Sequence, residues 1–278
     1  MKERTKAAGM IPFVKAHACG NDFLIIDESL AQGQHAALAQ KLCARSTSVG
    51  ADGIEFVERR ADGSFFLRLF NADGSEAELS GNGTRCVAAW LAFSEDKNEA
   101  VLDTLGGIRT CKVIEANAGK FLIESEMGIP QVVGRTLMLP RVGAVPGVVV
   151  NVGNPHFVLF VEDESFTAHG MRWQDLGGII CTSPLFSHGT NVEFVHVLNS
   201  DEIAFRIYER GCGPTTSSGT GTCASAAASI ALGGCDREHM LTAYAEGGPQ
   251  YVTWPANDKP MHLTGPAEIV CVGEVSVL

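Results

Sequence analysis

Short alternating apolar runs dominate the chain and predict a β-rich fold. Phe13–Val14 and Phe23–Asp27 read as strands around the turn Ala18–Asp22. Gly53–Glu58 and Ser64–Phe70 follow, with Asp62-Gly63 as a hairpin turn. Ala100–Leu105, Gly107–Glu115 and Phe121–Ser125 continue the pattern, the last entered through Gly119-Lys120. Further on come Val148–Val152, His156–Val161, Thr190–Val197 and Ile203–Tyr208, then Thr242–Glu246, Tyr251–Trp254, Met261–Thr264 and Ala267–Leu278. Leu38–Ser46 has helical spacing. Two stretches depart from all of this: Cys86–Phe93 and Cys223–Leu232 are apolar on every side of a helix. Such a helix has to be buried all round, which makes each one the core of its own domain, wrapped by a curled sheet. Gly128–Pro146 carries three prolines and little charge, and reads as the passage between two domains.

The pattern repeats. A shift of 138 residues lays Ser80-Gly81-Asn82-Gly83-Thr84 on Ser218-Gly219-Thr220-Gly221-Thr222. The same shift lays Phe66–Phe70 on Ala204–Tyr208, and Ile54-Glu55-Phe56-Val57 on Val192-Glu193-Phe194-Val195. Gly20-Asn21 and Gly153-Asn154 fit nearly the same register. The expected fold class is therefore α+β: two pseudo-symmetric domains, each a curled, barrel-like sheet around a central helix. The bounds read as 10–128 with 266–278 for the first domain and 129–265 for the second.

Composition narrows the partners. The 278 residues are 45% hydrophobic and 19% charged, enough for one or two full cores. A formal charge of −11 repels nucleic acid and anionic membranes at long range, so neither is an expected partner. No run approaches a membrane span, and Met1–Pro12 lacks the apolar core of a secretory signal, so a cytoplasmic protein is expected. The nine cysteines are scattered with no Cys-x-x-Cys pair; they read as buried thiols in a reducing compartment, with no metal site.

The chemistry sits at the two helix starts. A helix N-terminus offers unbonded N–H groups and the positive end of the dipole. Glycines at 81, 83, 219 and 221 let a ligand approach that backbone. A single Gly-rich start is often only a Ser-capped turn, and neither copy matches a P-loop or a Rossmann fingerprint. Two matched copies change the weighing. Facing one cleft, they would hold a carboxylate between two dipoles, with Ser80 on one flank and Ser218 on the other. That geometry moves a proton off one face of a carbon and onto the other.

These residues resemble the diaminopimelate epimerase family of cofactor-independent amino-acid racemases and epimerases. The matching motifs run nearly end to end: Gly20-Asn21-Asp22-Phe23, Gly50-Ala51-Asp52-Gly53, Asn71–Glu76, Gly81-Asn82-Gly83, Gly153-Asn154-Pro155-His156, Asn191-Val192, Glu209-Arg210-Gly211 and Gly219-Thr220-Gly221. The resemblance implies an isomerase that interconverts LL- and meso-diaminopimelate on the route to lysine and peptidoglycan precursors. It needs no cofactor, and a homodimer is implied. The substrate is a small amino diacid whose α-carboxylate lies between the helix starts, with the last strand returning to the first domain. By the same resemblance Asn71, Asn154, Asn191 and Arg210 hold its distal amino-acid end, while Asn21, Gly81, Asn82, Gly219 and Thr220 complete the binding set. Arg210 suits that task physically, since a guanidinium grips a carboxylate with two parallel bonds. Glu209 and His156 are implied near the reacting centre and its ammonium.

Two departures stand out. The family places an acid–base cysteine before each helix, where this chain has Ser80 and Ser218. A helix N-terminus can bring a thiol from about 8.5 into the physiological range; a hydroxyl begins several units higher and stays protonated. Three accounts remain open at this point: serines introduced in place of cysteines, natural serines with His156 and Glu209 as the working acid–base pair, or a related proton shift or elimination on the same scaffold. A non-catalytic binder of an amino diacid is a further alternative. The second departure is Pro214, where the family carries Glu; it fixes φ, removes an N–H and would reshape the approach to Ser218.

Overall fold

A computed structural model describes residues 9–276. The chain forms two compact units, one running to Ile123 and resumed from Pro266, the other Glu124–Gly265. The first contains β1 (Met10–Ala18), β2 (Asn21–Asp27), α1 (His35–Leu42), β3 (Gly53–Arg59), β4 (Phe65–Asn71) and β5 (Glu76–Ala77). It continues through α2 (Gly81–Glu95), β6 (Glu99–Thr104), β7 (Gly107–Asn117) and the start of β8 (Lys120–Gly128). The second contains β9 (Gln131–Leu139), β10 (Gly143–Asn151), β11 (Pro155–Phe160), α3 (Trp173–Cys181), β12 (Asn191–Asn199), β13 (Glu202–Glu209) and β14 (Gly213–Thr215). It closes with α4 (Gly219–Ala231), β15 (Leu241–Ala245), β16 (Gly248–Thr253) and the start of β17 (Met261–Ser276).

The repeat is borne out strand by strand. In the first unit β2 runs parallel to β3, β3 antiparallel to β4, and β4 parallel to β6. In the second, β11 runs parallel to β12, β12 antiparallel to β13, and β13 parallel to β15. Each parallel pair needs a crossover; α1 supplies it between β2 and β3, and α3 between β11 and β12. The sheet closes into an eight-stranded barrel around a helix. Val87, Ala88, Ala89 and Leu91 of α2 pack with Ile25, Leu67 and Leu102; Ala224, Ala227 and Ala228 of α4 pack with Val158, Phe205 and Leu263. Small side chains on α4 let the strands close tightly round it. The outer faces bury separate cores against α1 and α3.

Several expectations need correction. The central helices are not buried throughout: Phe93 is 54% exposed at the end of α2, and Leu232, just past α4, is 62% exposed. The last turn of α2 is partly exposed, whereas α4 stays buried through Ile230 and only its final residue and Leu232 are exposed. Gly128–Pro146 is no linker, because β9 pairs with β10 from Leu139↔Gly143 to Gln131↔Asn151. Pro140 falls in the connecting turn, and Pro146 lies before the β11-paired stretch Val148–Asn151, an edge position that tolerates a missing N–H. The helix read over Leu38–Ser46 starts and stops earlier, at His35–Leu42. The two strands read at Met261–Thr264 and Ala267–Leu278 are one, with Pro266 between the partners of β16 and those of β1. Residues 277–278, the end of the second of those readings, lie outside the described residues. Seven of the nine cysteines are buried, and Cys212 and Cys271 are exposed.

Candidate active site

Each unit brings the same local architecture to its long helix. Ser80 caps α2 from an extended backbone (φ −123°, ψ 120°) and accepts the Gly83 N–H at 3.0 Å. Ser218 caps α4 likewise (φ −144°, ψ 127°), accepting from Gly221 at 3.2 Å. A Ser N-cap of this kind holds the third helical N–H and leaves the first two without an intrahelical partner. In the first unit those belong to Gly81 and Asn82, in the second to Gly219 and Thr220.

Around Ser80 the first turn is fixed from below. Arg85, fully buried, donates from Nη1 to Gly81 O at 3.1 Å and from Nη2 to Asn82 Oδ1. Asn82 Nδ2 donates to Asn21 Oδ1 at 3.2 Å, and Asn21 Nδ2 to Asp52 Oδ2 at 2.8 Å. Asp22 and Asp52 each donate a backbone N–H to the other's carboxylate and share Arg45, whose Nη2 reaches Asp22 Oδ1 at 2.7 Å and Asp52 Oδ1 at 2.6 Å. Burial alone would raise the Asp22 carboxyl, but hydrogen bonds from Arg45 and Lys15 outweigh it and hold it below the usual carboxylate range. Asn71 is placed differently: its side chain closes the β4–β5 turn on Ser75 Oγ at 3.0 Å.

The second unit carries a continuous hydrogen-bonded line. Glu193 Oε1 stands 2.6 Å from His156 Nδ1, and His156 Nε2 stands 2.8 Å from Asn154 Oδ1. Asn154 Nδ2 donates to Thr220 Oγ1 at 3.3 Å, and Thr220 Oγ1 lies 3.4 Å from Ser218 Oγ. An amide oxygen only accepts, so Nε2 carries a proton; Nδ1 and Glu193 then share the remaining one. Both residues are fully buried. Burial pushes the Glu193 carboxyl up, while the adjacent imidazole pulls it back. Asn191 Oδ1 accepts the Arg210 N–H at 2.9 Å, and Arg210 Nη1 donates to His188 O at 3.3 Å. Glu209 Oε1 accepts from Thr215 Oγ1, beside Pro214, which pairs with Tyr208 across β13 and β14.

The structure thus gathers Asn21, Asn82 and Ser80 at one helix start, and Asn154, His156, Thr220 and Ser218 at the other. It does not give His156 a direct bond to Ser218; the imidazole reaches it only through Asn154 and Thr220. Sequence reading missed Arg85, the Asp22–Asp52–Arg45 network, and the partner of His156. The signal for the last was present: Glu55 and Glu193 are carboxylates at one register of the repeat, each set between apolar neighbours, in Ile54-Glu55-Phe56-Val57 and Val192-Glu193-Phe194-Val195.

This repeated barrel is shared with a hydroxyproline epimerase from Agrobacterium vitis, 12% identical, with a TM-score of 0.75 over 98% of this chain and 94% of that one. The family model described as diaminopimelate epimerase matches residues 13–133 and 148–270. A diaminopimelate epimerase from Nostoc punctiforme is 35% identical over 95% of this chain and 99% of its own length, and one from Halothermothrix orenii is 36% identical over 96% and 98%. Fold and sequence together define an isomerase of the racemase and epimerase class. The chain belongs to the diaminopimelate epimerase family, as its motifs imply.

Proposed function

We propose that this chain binds diaminopimelate and carries the scaffold for moving a proton between the two faces of its α-carbon, with Ser80 and Ser218 at the two acid–base positions. The observation that carries the reading is the pair of matched helix starts, each with a Ser cap and a Gly-rich first turn. In this reading the α-carboxylate takes the N–H groups of both first turns. Asn71, Asn154, Asn191 and Arg210 hold the distal head, and Asn21 and Asn82 brace the first turn. His156 and Glu209 order the second half of the site. No cofactor is called for, because the acid and the base are both side chains.

The hydroxyls set the rate. A serine hydroxyl ionises several pKa units above a cysteine thiol in the same place, so its basic form is far scarcer at neutral pH, and each unit is worth about 1.36 kcal/mol. The chain as written therefore turns over at least about 1,000-fold more slowly than its two-cysteine counterpart. The line from His156 through Asn154 to Thr220 points its donors toward Ser218 Oγ, so it stabilises negative charge developing on that oxygen and offsets part of the deficit. Cytoplasmic location and a homodimer belong to the same proposal. Among the described residues no helix is long and apolar enough to cross a membrane. Calorimetry with meso-diaminopimelate tests the binding half: saturable one-site binding, weakened by R210A, is expected. Absence of binding to the folded chain would end the proposal.

A further inference from the structure

Glu55 and Glu193 occupy equivalent places in the repeat, and neither is one of the acid–base positions. Glu55 lies on β3 and Glu193 on β12, and both are buried, at 1% and 0% exposure. Each carboxyl reaches beneath the first turn of its unit's long helix. A Cβ placed on Gly83 would overlap Glu55 Oε1 outright, and one on Gly221 would stand 3.1 Å from Glu193 Oε1. The same two points lie 3.2 Å from Ser80 Cβ and Ser218 Cβ. Glycine at these positions is what admits a carboxyl under each serine.

The two differ in partners. Glu193 has His156 at 2.6 Å. Glu55 Oε1 is buried with no hydrogen-bond partner among the described residues. Its lateral neighbours, Ile25 on β2 and Leu69 on β4, are apolar. The ionisable groups around this end of α2 are Arg85 and Cys86 on the helix, Cys19 after β1 and Asp22 on β2. Arg85 is engaged by Gly81 O and Asn82, and Asp22 by Lys15 and Arg45. A buried, unpartnered carboxyl destabilises a fold, so packing alone would favour Leu or Met here.

We propose that Glu55 is a positioning residue of the first half-site: its carboxyl holds the exchangeable proton under the α2 start and governs the protonation of the side chain at position 80. The proposal rests on Ser80 being the first acid–base position. No hydrogen bond joins Ser80 Oγ to the carboxyl, so Glu55 acts through its charge: ionised, it holds the proton on the group at position 80, and protonated, it lets that group ionise more readily. Burial pushes this carboxyl up to about 8, so its charge changes close to neutral pH.

The test uses the full chain carrying S80C, without substrate. Iodoacetamide alkylation of the introduced thiol is followed by mass spectrometry across pH, and reading its own peptide separates it from the nine natural cysteines. Two coupled groups titrate in two steps, so a two-step profile is expected for S80C. S80C/E55Q should give one step with a lower midpoint, alkylating about threefold faster near pH 8, the ratio for half a pKa unit. E55D keeps a titrating group one methylene further from Gly83 and should shift the midpoint the same way by less, which serves if E55Q does not fold. A single-step S80C profile, or superimposable profiles with and without E55Q, overturns the proposal. Protection of the introduced thiol by diaminopimelate is read in the same samples. Protection without an E55Q effect removes Glu55 alone. An E55Q effect without protection removes the substrate reading and leaves the coupling of Glu55 to position 80 standing.

Discussion

Ser80 and Ser218 present hydroxyls at the heads of two helices, and everything around them bears on where a proton can rest. Glu55 is the sharpest case. Its folded carboxyl sits at about 8 against an ordinary value of 4.5. Between those values the folded chain keeps a proton that the unfolded chain has released. Stability therefore falls as pH rises through that window and is fully present below it. E55Q removes the titration, so its melting temperature should fall less than the parent's between about pH 5 and 8; parallel curves would contradict the burial argument. In the second unit, H156Q strands Glu193 in the interior without its imidazole. It should cost about 3–5 kcal/mol by urea denaturation, whereas E193Q, which keeps the shape and loses the charge, should cost less. An equal cost for both would show that the pair is held for packing rather than for charge. Ser80, Ser218 and the asparagines were legible in the sequence because each belongs to a motif. Glu55 and Glu193 lay inside an aligned repeat block, but an apolar strand around a carboxylate reads as strand first. Only burial shows that the carboxylate faces inward.

At the scale of elements, the helix starts are built by more than their glycines. Arg85 reaches back one turn to hold Gly81 O and Asn82 Oδ1, so a buried cation braces the turn that would receive an anion. R85M should cost about 1–3 kcal/mol through the acceptors it frees, and should weaken diaminopimelate binding by calorimetry at least about tenfold, or about 1.4 kcal/mol. Unchanged affinity in a folded R85M chain would separate that turn from the carboxylate. The elements hardest to see in the sequence failed for local reasons. Gly177 and Gly178 break the apolar rhythm of α3, yet they sit against Tyr208, where an added Cβ at Gly177 would come within 2.8 Å. Proline suggested a linker over residues 128–146, where the tertiary pairing of β9 with β10 overrides that local signal.

At the scale of the whole molecule, the 138-residue repeat does most of the explaining. It defines the fold class without help from any single element, and the paired order of parallel and antiparallel strands follows it in both units. Family membership rests on matches over almost the full chain. What the repeat makes symmetric, the side chains then differentiate: a lone buried acid supports one serine, and an acid–imidazole–amide line supports the other. The central claim is that this scaffold is complete for two-sided proton transfer and lacks only thiols. Deuterium incorporation at the α-carbon of LL- and meso-diaminopimelate in heavy water, followed by mass spectrometry for the parent and for S80C/S218C, tests it most directly. The account predicts rapid incorporation with interconversion of the isomers in the double variant, and incorporation at least about 1,000-fold slower in the parent. A folded S80C/S218C chain that binds diaminopimelate and incorporates no deuterium above the solvent background would contradict it.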